Sequence, residues 1–250
     1  MMTARYPSLI GRTVFVTGGA SGIGACLVES FVTQGAQVAF VDIDLDAAAE
    51  LVERLDNAPL FLPCDIREVD TLRRAVAAAG EQLGDIAVLV NNAASDDRHD
   101  WSMVTPDYWD DRMAINLRPQ FFAAQAAIPQ MRRRGGGAIV NLGSISWKVG
   151  LGGLVAYTTA KAAIHGLTRS LARDLGPDNI RVNTILPGAI ETERQRRLWT
   201  GPEADGQILA AQSLKFRLQP HHVASMALFL AADDSAGCTA QEFTVDGGWV

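Results

Sequence analysis

The sequence predicts an α/β fold: a doubly wound, mostly parallel sheet of seven strands with helices on both of its faces. Short apolar runs alternate with amphipathic helical segments along the chain. The runs TVFV (13–16) and QVAFV (37–41) are apolar on both faces, which is typical of parallel strands that are covered on both sides. No linker and no shift in composition divides the 250 residues, so we expect one domain over residues 1–250.

The predicted elements follow one another in a regular order of strand, turn and helix. Apolar runs of strand length predict strands over residues 13–16, 37–41, 60–62, 86–90, 138–142, 182–186 and 242–245. Helical spacing predicts a helix from the first loop to about residue 34, and further helices over about 45–55, 69–83, 107–134, 155–175 and 222–231. The pattern assigns no helix to the polar segment between the sixth strand and the last helix.

Composition and charge argue against several classes of protein. The net charge of −6 leaves no broad electropositive surface, which argues against nucleic acid as the main partner. No uncharged apolar stretch approaches the roughly 20 residues that cross a bilayer, and no early segment has the pattern of a secretory signal. Cys26, Cys64 and Cys238 lack the spacing of metal ligands. We therefore expect a cytoplasmic protein with reduced cysteines and no metal site.

The segment TGGASGIG, residues 17–24, lies directly between the first predicted strand and the first predicted helix. Gly18, Gly22 and Gly24 let the backbone turn sharply and let a pyrophosphate approach the helix N-terminus, where free N–H groups favour negative charge. The alternative is a tight turn without a ligand, but such a turn seldom needs three glycines. The order strand, loop and helix therefore predicts a Rossmann-type dinucleotide-binding fold.

Asp42 ends the second predicted strand, at the distance from the loop where an acid binds the adenosine ribose. A 2′-phosphate would meet this carboxylate at roughly 4 Å, at a cost of about 4 kcal/mol. Ala20 and Ser21 supply no cation to offset that cost. Asp42 could instead cap the next helix, although Asp44 or Asp46 could serve as that cap. The sequence predicts NAD, rather than NADP, as the cofactor.

Four polar residues between positions 116 and 161 form a candidate catalytic group. Tyr157 and Lys161 are four residues apart and therefore share one face of a long predicted helix. Ser144 follows the fifth predicted strand, at the carboxyl edge where open α/β sheets place their sites. Asn116 interrupts the apolar pattern of the preceding long helix. These positions together predict an active site.

The motifs resemble those of the short-chain dehydrogenase/reductase family over essentially the whole chain. TGGASGIG is similar to the family's TGxxxGxG, and NNAA (91–94) is similar to its NNAG, with Ala94 in place of glycine. YTTAK (157–161), PGAIET (187–192) and VDGGW (245–249) continue the match. The departure at Ala94 puts only fine loop geometry in doubt. The cofactor-binding residues that the resemblance implies are Gly18, Ser21, Gly22, Ile23, Gly24, Asp42, Asp65, Ile66, Asn92, Tyr157, Lys161, Pro187, Gly188, Ile190 and Thr192.

The resemblance also implies roles for the chemical groups. Tyr157 would exchange the hydroxyl proton of the substrate while hydride passes to or from the nicotinamide. Its pKa should then fall from near 10 to about 7–8, because Lys161 and the positive nicotinamide ring favour the phenolate. Ser144 would hold the reacting oxygen, and Asn116 would position a water that links the lysine to solvent. Thr192 would bind the carboxamide.

Two predicted loops, 95–101 and 146–153, border the place where a substrate must lie. Their acids, arginine, imidazole and indole suit a ligand rich in hydroxyl groups, with the indole covering the apolar face of a sugar ring. The alternative is that these charges cap helices and face water. NNAASDDRH, NLGSISW and the segment 191–212 resemble bacterial aldose 1-dehydrogenases, with about 190–215 as a lid. The expected substrate-binding residues are Asp96, Arg98, His99, Ser144, Trp147, Tyr157 and Gln195.

The sequence therefore predicts an enzyme that transfers hydride from the anomeric carbon of a free pentose or 6-deoxyhexose to NAD and yields a lactone. Two alternatives stay open: an NAD(P)-dependent reductase of a 3-oxoacyl or other carbonyl substrate, and a non-catalytic NAD-binding regulator. The presence of Ser144, Tyr157 and Lys161 argues against the regulator, because cofactor binding alone does not need a base. The resemblance further implies a homotetramer packed through the two long helices and the C-terminal strand.

Overall fold

The computed structural model of the protein describes residues 4–199 and 201–250. Its strands are β1 (Thr13–Thr17), β2 (Gln37–Asp42), β3 (Leu60–Pro63), β4 (Ile86–Asn91), β5 (Gly137–Leu142), β6 (Ile180–Pro187) and β7 (Glu242–Val245). Within the described residues these seven strands form one sheet in the order β3-β2-β1-β4-β5-β6-β7. Every pair of neighbouring strands is parallel. The predicted doubly wound α/β fold is confirmed, and the sheet is parallel throughout rather than mostly parallel.

Helices cover both faces of this sheet. They are α1 (Gly22–Thr33), α2 (Leu45–Arg54), α3 (Val69–Leu83), α4 (Pro106–Asn116), α5 (Arg118–Arg133), α6 (Val155–Leu175), α7 (Glu193–Trp199), α8 (Pro202–Ala211) and α9 (Pro220–Ala231). Val14 and Val16 of β1 join the apolar core beneath α1 and α9, whereas Phe15 joins the core beneath α3 and α5. Among the described helices, none is long and apolar enough to span a membrane.

The strand order reverses direction between β1 and β4. The chain first runs outward from β1 through β2 to β3, and it then returns to place β4 on the other side of β1. Open parallel sheets bind ligands at such a reversal, outside the carboxyl ends of the strands. Thr17 and Asn91 are in register at these two ends. The topology therefore places the glycine loop after β1 beside the NNAA segment after β4.

The prediction of a single long helix over residues 107–134 is wrong, because two helices occupy this segment. They meet at Leu117, whose φ of −128° and ψ of −56° are not helical. Pro119 accounts for the break, since it lacks the N–H that would continue the hydrogen-bond ladder into the turn before it. Asn116 is therefore the last residue of α4 instead of a mid-helix residue.

The polar segment after β6 contains α7 and α8, to which the sequence pattern assigns no helix. Both lie in the predicted lid, about residues 190–215, in which residue 200 lies outside the described residues. Ile190 forms an isolated parallel bridge with Leu218. The lid therefore leaves the carboxyl edge of the sheet near Ile190 and returns to it near Leu218.

Candidate active site

Close backbone contacts shape the glycine loop between β1 and α1. Gly18 and Gly22 have φ values of +66° and +56°, which side chains disfavour. A Cβ on Gly24 would lie 1.8 Å from the Gly18 carbonyl oxygen. Asn92 Nδ2 donates a hydrogen bond to that same oxygen at 2.8 Å and another to Thr17 O at 3.0 Å. The loop is thus a fixed cradle at a helix N-terminus, and such a cradle fits a pyrophosphate.

The Asp42 carboxylate is fixed beside this loop. Its Oδ2 accepts a hydrogen bond from Ala20 N at 2.9 Å, and its Oδ1 accepts from Ile43 N at 2.8 Å and Asp44 N at 3.1 Å. Asp44 is the residue that caps α2, since its side chain accepts a hydrogen bond from Ala47 N at 3.1 Å. The capping role considered for Asp42 therefore belongs to Asp44.

A cavity of about 340 Å³ opens beyond Asp42, at the carboxyl ends of β2 and β3. Its walls combine apolar side chains with acids: Asp42, Ile43, Leu45, Pro63, Cys64, Asp65, Glu68 and Thr71. Arg67 Nη2 donates to Asp65 Oδ2 at 2.6 Å, and this hydrogen bond lowers the pKa of the carboxyl. Ile66, the next residue, is buried. A cavity of this volume and lining fits an adenosine group.

The segment after β6 passes over the glycine loop. A Cβ on Gly22 would lie 3.3 Å from the Thr192 methyl group, and a Cβ on Gly188 would lie 2.7 Å from Asp246 Cα. Thr192 Oγ1 accepts a hydrogen bond from Gln195 N at 3.2 Å, at the start of α7. The other predicted cofactor residues lie around this crossing, with Pro187 ending β6, Ile190 buried, Ser21 at the N-cap of α1 and Ile23 half-buried in its first turn.

Ser144, Tyr157 and Lys161 come together at the carboxyl edge of the sheet. Tyr157 and Lys161 lie one turn apart on α6, and the Lys161 Nζ is 5.6 Å from the centroid of the Tyr157 ring. Tyr157 hydrogen-bonds with Ser144, which follows β5. The arrangement offers a phenol, an amine and a hydroxyl to one reacting oxygen.

The pKa values of the phenol and the amine both favour neutral groups. Burial raises the pKa of Tyr157 to about 12, against the opposing effect of the Ser144 hydrogen bond. Burial lowers the pKa of Lys161 to about 7. The lowered pKa predicted for Tyr157 includes the charge of the nicotinamide ring and stays a prediction; in the protein alone, burial of the phenolate outweighs its hydrogen bond. Lys161 is only 1% exposed, and its Nζ donates to Leu142 O at 2.7 Å.

Asn116 links the end of α4 to the loop after β4. Its side chain is fully buried, with Oδ1 accepting from Ser95 N at 2.9 Å and Nδ2 donating to Ser95 O at 3.1 Å. These two hydrogen bonds fix the first residue of the predicted substrate loop. The water-positioning role of Asn116 stays a prediction, and its hold on Ser95 is a second role that the sequence did not reveal.

His99 connects the two predicted substrate loops to α6. Its backbone N donates to Gly153 O at 2.8 Å, and its Nε2 accepts from Ala156 N at 3.3 Å. Its Nδ1 lies 3.0 Å from Tyr108 Oη. Since both ring nitrogens have partners within the protein, the geometry favours a role in holding the start of α6, one residue before Tyr157, over direct contact with a substrate.

Arg98 and Trp147 lie toward the edges of the site. Arg98 Nη1 donates to Gly152 O at 3.3 Å, which ties the same two loops together. The Trp147 ring packs edge-on against His165, with centroids 4.8 Å apart. His165 lies eight residues after Tyr157 on α6, or about 12 Å along the helix. The geometry therefore does not favour the sugar-stacking role predicted for Trp147.

Asp96 connects the lid to Tyr157 and Lys161. Its Oδ2 accepts from Gln195 Nε2 at 3.0 Å, and its Oδ1 accepts from Arg194 Nε at 3.3 Å, both from α7. Its negative charge raises the pKa values of both Tyr157 and Lys161, although burial has the larger effect on each. Asp96 is thus the predicted substrate residue with the most direct electrostatic link to the catalytic pair.

A row of polar side chains beneath the site was missed in the sequence. Thr17, Asn91, Asn141 and Thr184 lie in register across four neighbouring strands. Asn91 Nδ2 donates to Asn141 Oδ1 at 2.9 Å, and Asn141 Nδ2 donates to Thr168 Oγ1 at 2.9 Å. The signal was available, because each of these strand residues is a polar group near the end of an otherwise apolar run.

The chemistry at this edge defines a class of protein. A phenol beside an amine and a hydroxyl can exchange a proton with an alcohol or a carbonyl group. None of these three groups can accept or donate a hydride. The adjacent cradle and the adenosine-sized cavity fit a nicotinamide dinucleotide, which can. The site is therefore that of a nicotinamide-dependent oxidoreductase.

Comparison with known proteins narrows this class to a family. A family model described as enoyl-(acyl carrier protein) reductase matches residues 18–250. The chain is 48% identical over 252 residues to D-xylose 1-dehydrogenase of Caulobacter vibrioides (strain NA1000 / CB15N), and the match covers 100% of both chains. It is 50% identical over 250 residues to a Rhizobium meliloti (strain 1021) protein named "Probable galactose dehydrogenase GalD", with 98% of each covered. The protein belongs to the short-chain dehydrogenase/reductase family.

Solved structures agree with this assignment. A crystal structure of a blue fluorescent protein from a metagenomic library, in complex with NADPH, has a TM-score of 0.89 and 35% sequence identity to the chain. The match covers 97% of this chain and 99% of the other. The protein is thus an oxidoreductase that takes a nicotinamide cofactor and a small-molecule substrate.

Proposed function

We propose that the protein oxidises a free aldose at its anomeric carbon with NAD and yields a lactone. The observation that carries this proposal is the similarity to D-xylose 1-dehydrogenase at 48% identity over 100% of both chains. Ser144, Tyr157 and Lys161 supply the groups that such a reaction requires at one edge of the sheet. A pentose or a 6-deoxyhexose is the proposed substrate.

Asp42 and its surroundings support NAD over NADP. The carboxylate is held toward the glycine loop by Ala20 N, next to the place where the adenosine ribose would lie. The described residues that line the adjacent cavity include the acids Asp65 and Glu68 but no lysine or arginine. A 2′-phosphate would therefore approach a fixed negative charge at a cost of about 4 kcal/mol, and the nearby Arg67 is already paired with Asp65 and Asp111.

Replacement of Asp42 tests this choice of cofactor. Asp42→Ala should lower the ratio of kcat/KM for NAD to kcat/KM for NADP by about 1,000-fold, because the charge that repels the 2′-phosphate by about 4 kcal/mol is removed. Asp44→Ala is the matched control, since it removes a neighbouring carboxylate that caps α2 and should leave the ratio unchanged. An unchanged ratio in Asp42→Ala would contradict the assignment.

The proposed mechanism assigns one task to each residue near the reacting oxygen. Ser144 holds the hydroxyl oxygen of the anomeric carbon, and Tyr157 Oη accepts its proton as the carbonyl bond forms. A bound oxidised nicotinamide would supply the acceptor for the hydride of that carbon and a positive charge that favours the phenolate. Lys161, anchored on Leu142 O, stabilises the phenolate and binds the nicotinamide ribose. The products are the lactone, the reduced cofactor and one proton.

The polar mouth of the site supports a hydroxyl-rich substrate. Asp96 accepts a hydrogen bond from Gln195 of α7, and its charge acts on both Tyr157 and Lys161. Carboxylate and amide groups can hydrogen-bond the ring hydroxyls of a sugar. An apolar acyl chain or steroid would add no hydrogen bond to the remaining acceptor sites of these groups, at a cost of about 1–3 kcal/mol for each site that becomes buried.

A substrate survey tests the proposal. The purified protein should reduce NAD with at least one of D-xylose, L-arabinose, D-galactose or a 6-deoxyhexose, and hydroxylamine should trap the lactone as a hydroxamate. Tyr157→Phe protein serves as the blank. The absence of NADH formation with all common aldoses, together with activity on 3-oxoacyl thioesters, would overturn the proposal.

A second candidate function is reduction of a carbonyl substrate on the same fold. The observation that favours it is the family model, whose description names a reductase of acyl carrier protein substrates. Biosynthetic reductases usually prefer NADPH, which Asp42 disfavours. Reduction of a 3-oxoacyl thioester with NADPH, at a higher kcat/KM than any aldose oxidation, would select this candidate. Binding of NAD without turnover of any alcohol or carbonyl would instead select a non-catalytic regulator.

A further inference from the structure

The lid and the substrate loop are joined by a pair of arginine–aspartate contacts. Arg194 of α7 donates from Nη2 to Asp97 Oδ1 at 2.6 Å and from Nε to Asp96 Oδ1 at 3.3 Å. Gln195 adds a hydrogen bond from Nε2 to Asp96 Oδ2 at 3.0 Å. Two consecutive residues of the lid therefore hold two consecutive residues of the loop after β4.

Asp97 is itself fixed from the side opposite to the lid. Its Oδ2 accepts from Arg112 Nη1 of α4 at 2.8 Å and from Ser95 Oγ at 2.7 Å. The hydrogen bond from Ser95, followed by those from Arg194 and Arg112, lowers the pKa of the Asp97 carboxyl. One oxygen of Asp97 thus contacts the lid and the other contacts α4, so the carboxylate connects these two elements.

The ion pairs continue beyond Asp97 along α4. Arg112 Nη2 contacts Asp111 Oδ2 at 2.5 Å, and Asp111 Oδ1 contacts Arg67 Nη1 at 3.0 Å. Arg67 in turn contacts Asp65 at the adenosine-sized cavity. The Arg112 side chain is 13% exposed, which makes it the more protected cation of the Asp97 contacts. The anchor behind Asp97 is therefore part of a larger network, which strengthens it relative to an isolated surface pair.

We propose that Asp97 is a positioning residue for the lid: through Arg194 it holds α7, and with it Asp96 and Gln195, over Tyr157 while the substrate is bound. This inference goes beyond the proposed function, because it assigns no contact between Asp97 and the sugar. It rests on the proposed function only for its kinetic readout. Arg112 acts through Asp97, by keeping the carboxylate turned toward Arg194.

Kinetics of single and double variants test the proposal. Asp97→Asn and Arg194→Gln should each raise KM for the sugar by about three- to fivefold, with little change in KM for NAD, because they free the lid and leave the cradle intact. The loss in the double variant should be smaller than the product of the two single losses, since both changes break the shared Arg194–Asp97 contact. Arg194→Lys, which keeps the charge, should recover part of the loss.

The dependence of the sugar KM on salt concentration distinguishes this electrostatic role from a merely structural one. The side chains of Arg194 and Asp97 are 45% and 50% exposed, so salt should screen their contact. Raising the salt concentration from about 0.05 M to about 0.5 M should bring the wild-type KM toward that of Arg194→Gln and leave the variant's KM nearly constant. Arg197→Gln is the control, because it removes the same charge from an exposed position on the same helix.

Hydrogen exchange keeps the test independent of the substrate. The amides of residues 191–197 should exchange faster in Asp97→Asn and Arg194→Gln than in the wild type or Arg197→Gln. Unchanged exchange together with an unchanged sugar KM overturns the proposal, and so do additive effects in the double variant. If no aldose is oxidised by the wild type, the proposed function fails, and the exchange rates alone decide whether Asp97 holds the lid.

Discussion

At the scale of single residues, burial sets the chemistry of the catalytic pair. It raises the pKa of Tyr157 to about 12 and lowers that of Lys161 to about 7, so the protein alone favours a neutral phenol and weakens the charge on the amine. A positive nicotinamide ring is the remaining charge that can favour the phenolate. Proton abstraction is therefore expected to depend on the bound oxidised cofactor. Tyr157 would then act as a base only in the complex of enzyme and oxidised cofactor.

The first prediction concerns the phenol. Tyr157→Phe should lower kcat by about 100-fold or more, because general-base catalysis contributes that much and the aromatic ring alone cannot accept a proton. NAD binding, measured by calorimetry, should stay within a few fold of the wild type. Tyr6→Phe removes a phenol from the opposite end of the protein and should leave kcat unchanged. A Tyr157→Phe enzyme that keeps more than a few per cent of the activity would show that another group is the base.

The second prediction concerns the buried amine and stability. The fall in the pKa of Lys161 from 10.5 to about 7 corresponds to about 5 kcal/mol that the charged lysine costs in the folded state. Lys161→Met removes this cost but also the hydrogen bond to Leu142 O, which is worth about 1–3 kcal/mol when lost. At pH 6, without cofactor, Lys161→Met should therefore unfold in urea with a free energy about 2–4 kcal/mol above the wild type, while activity is lost.

The pH dependence of this difference has a definite sign. Below pH 7 the lysine is charged in both the folded and the unfolded chain, and the full cost is present. Between about pH 7 and pH 10.5 the unfolded chain binds the proton and the folded protein does not, so the wild type gains stability as the pH rises. The advantage of Lys161→Met should shrink over that range. Lys215→Met, at an exposed position, should show no such trend.

At the scale of elements, the turn from β1 into α1 depends on backbone contacts that admit no side chain. Gly24→Ala would place a methyl group 1.8 Å from Gly18 O, in the space that Asn92 Nδ2 also approaches. We expect this variant to lose NAD binding by at least tenfold and to unfold at a lower temperature, because either the loop or the helix must shift. Gly206→Ala places its methyl group in open space within α8, and both properties should be retained. Normal NAD affinity in Gly24→Ala would contradict the cradle.

The same scale shows what the sequence could predict. Strands were predictable because each is a short run of apolar residues bounded by turn residues, as TVFV in β1 shows. The break between α4 and α5 was not, because the apolar spacing continues through Leu117 and only Pro119 signals it. α7 was missed since its sequence ERQRR has no apolar face and is held by Arg194 and other polar contacts with the substrate loop.

The meeting of the candidate catalytic residues was predictable from short motifs, whereas the contacts of the candidate substrate residues were not. Ser144, Tyr157 and Lys161 meet where the motifs indicate, since their positions follow from strand ends and helical spacing. Loop side chains such as His99 and Trp147 take partners from α6, and no local pattern specifies which way such a side chain turns. The sequence therefore predicts the positions of site residues that lie on or next to helices and strands, but not the orientation of loop side chains.

At the scale of the whole molecule, the sheet collects one site from nearly the full length of the chain. The glycine loop comes from residues 18–24, the catalytic groups from 144–161, and the crossing at Gly188 rests on Asp246 near the C-terminus. β7 is an edge strand whose residues are only partly buried, and Phe121 on α5 is 39% exposed. These two surfaces are on the elements through which the predicted homotetramer would pack.

The last prediction tests that assembly. Light scattering of the purified protein should give about 107 kDa, the mass of four chains of 26.8 kDa. Phe121→Glu should lower the mass, because a carboxylate replaces a ring whose burial is worth about 1.5–3 kcal/mol in each copy. Ile10→Glu changes another exposed apolar residue, one that precedes β1 and is 68% exposed, and should leave the mass unchanged. A wild-type mass near that of one chain would contradict the tetramer, and a Phe121→Glu tetramer would place the interface elsewhere. Since Tyr157 and Lys161 lie on α6, which packs beside α4, loss of assembly should also lower kcat if those helices form the interface.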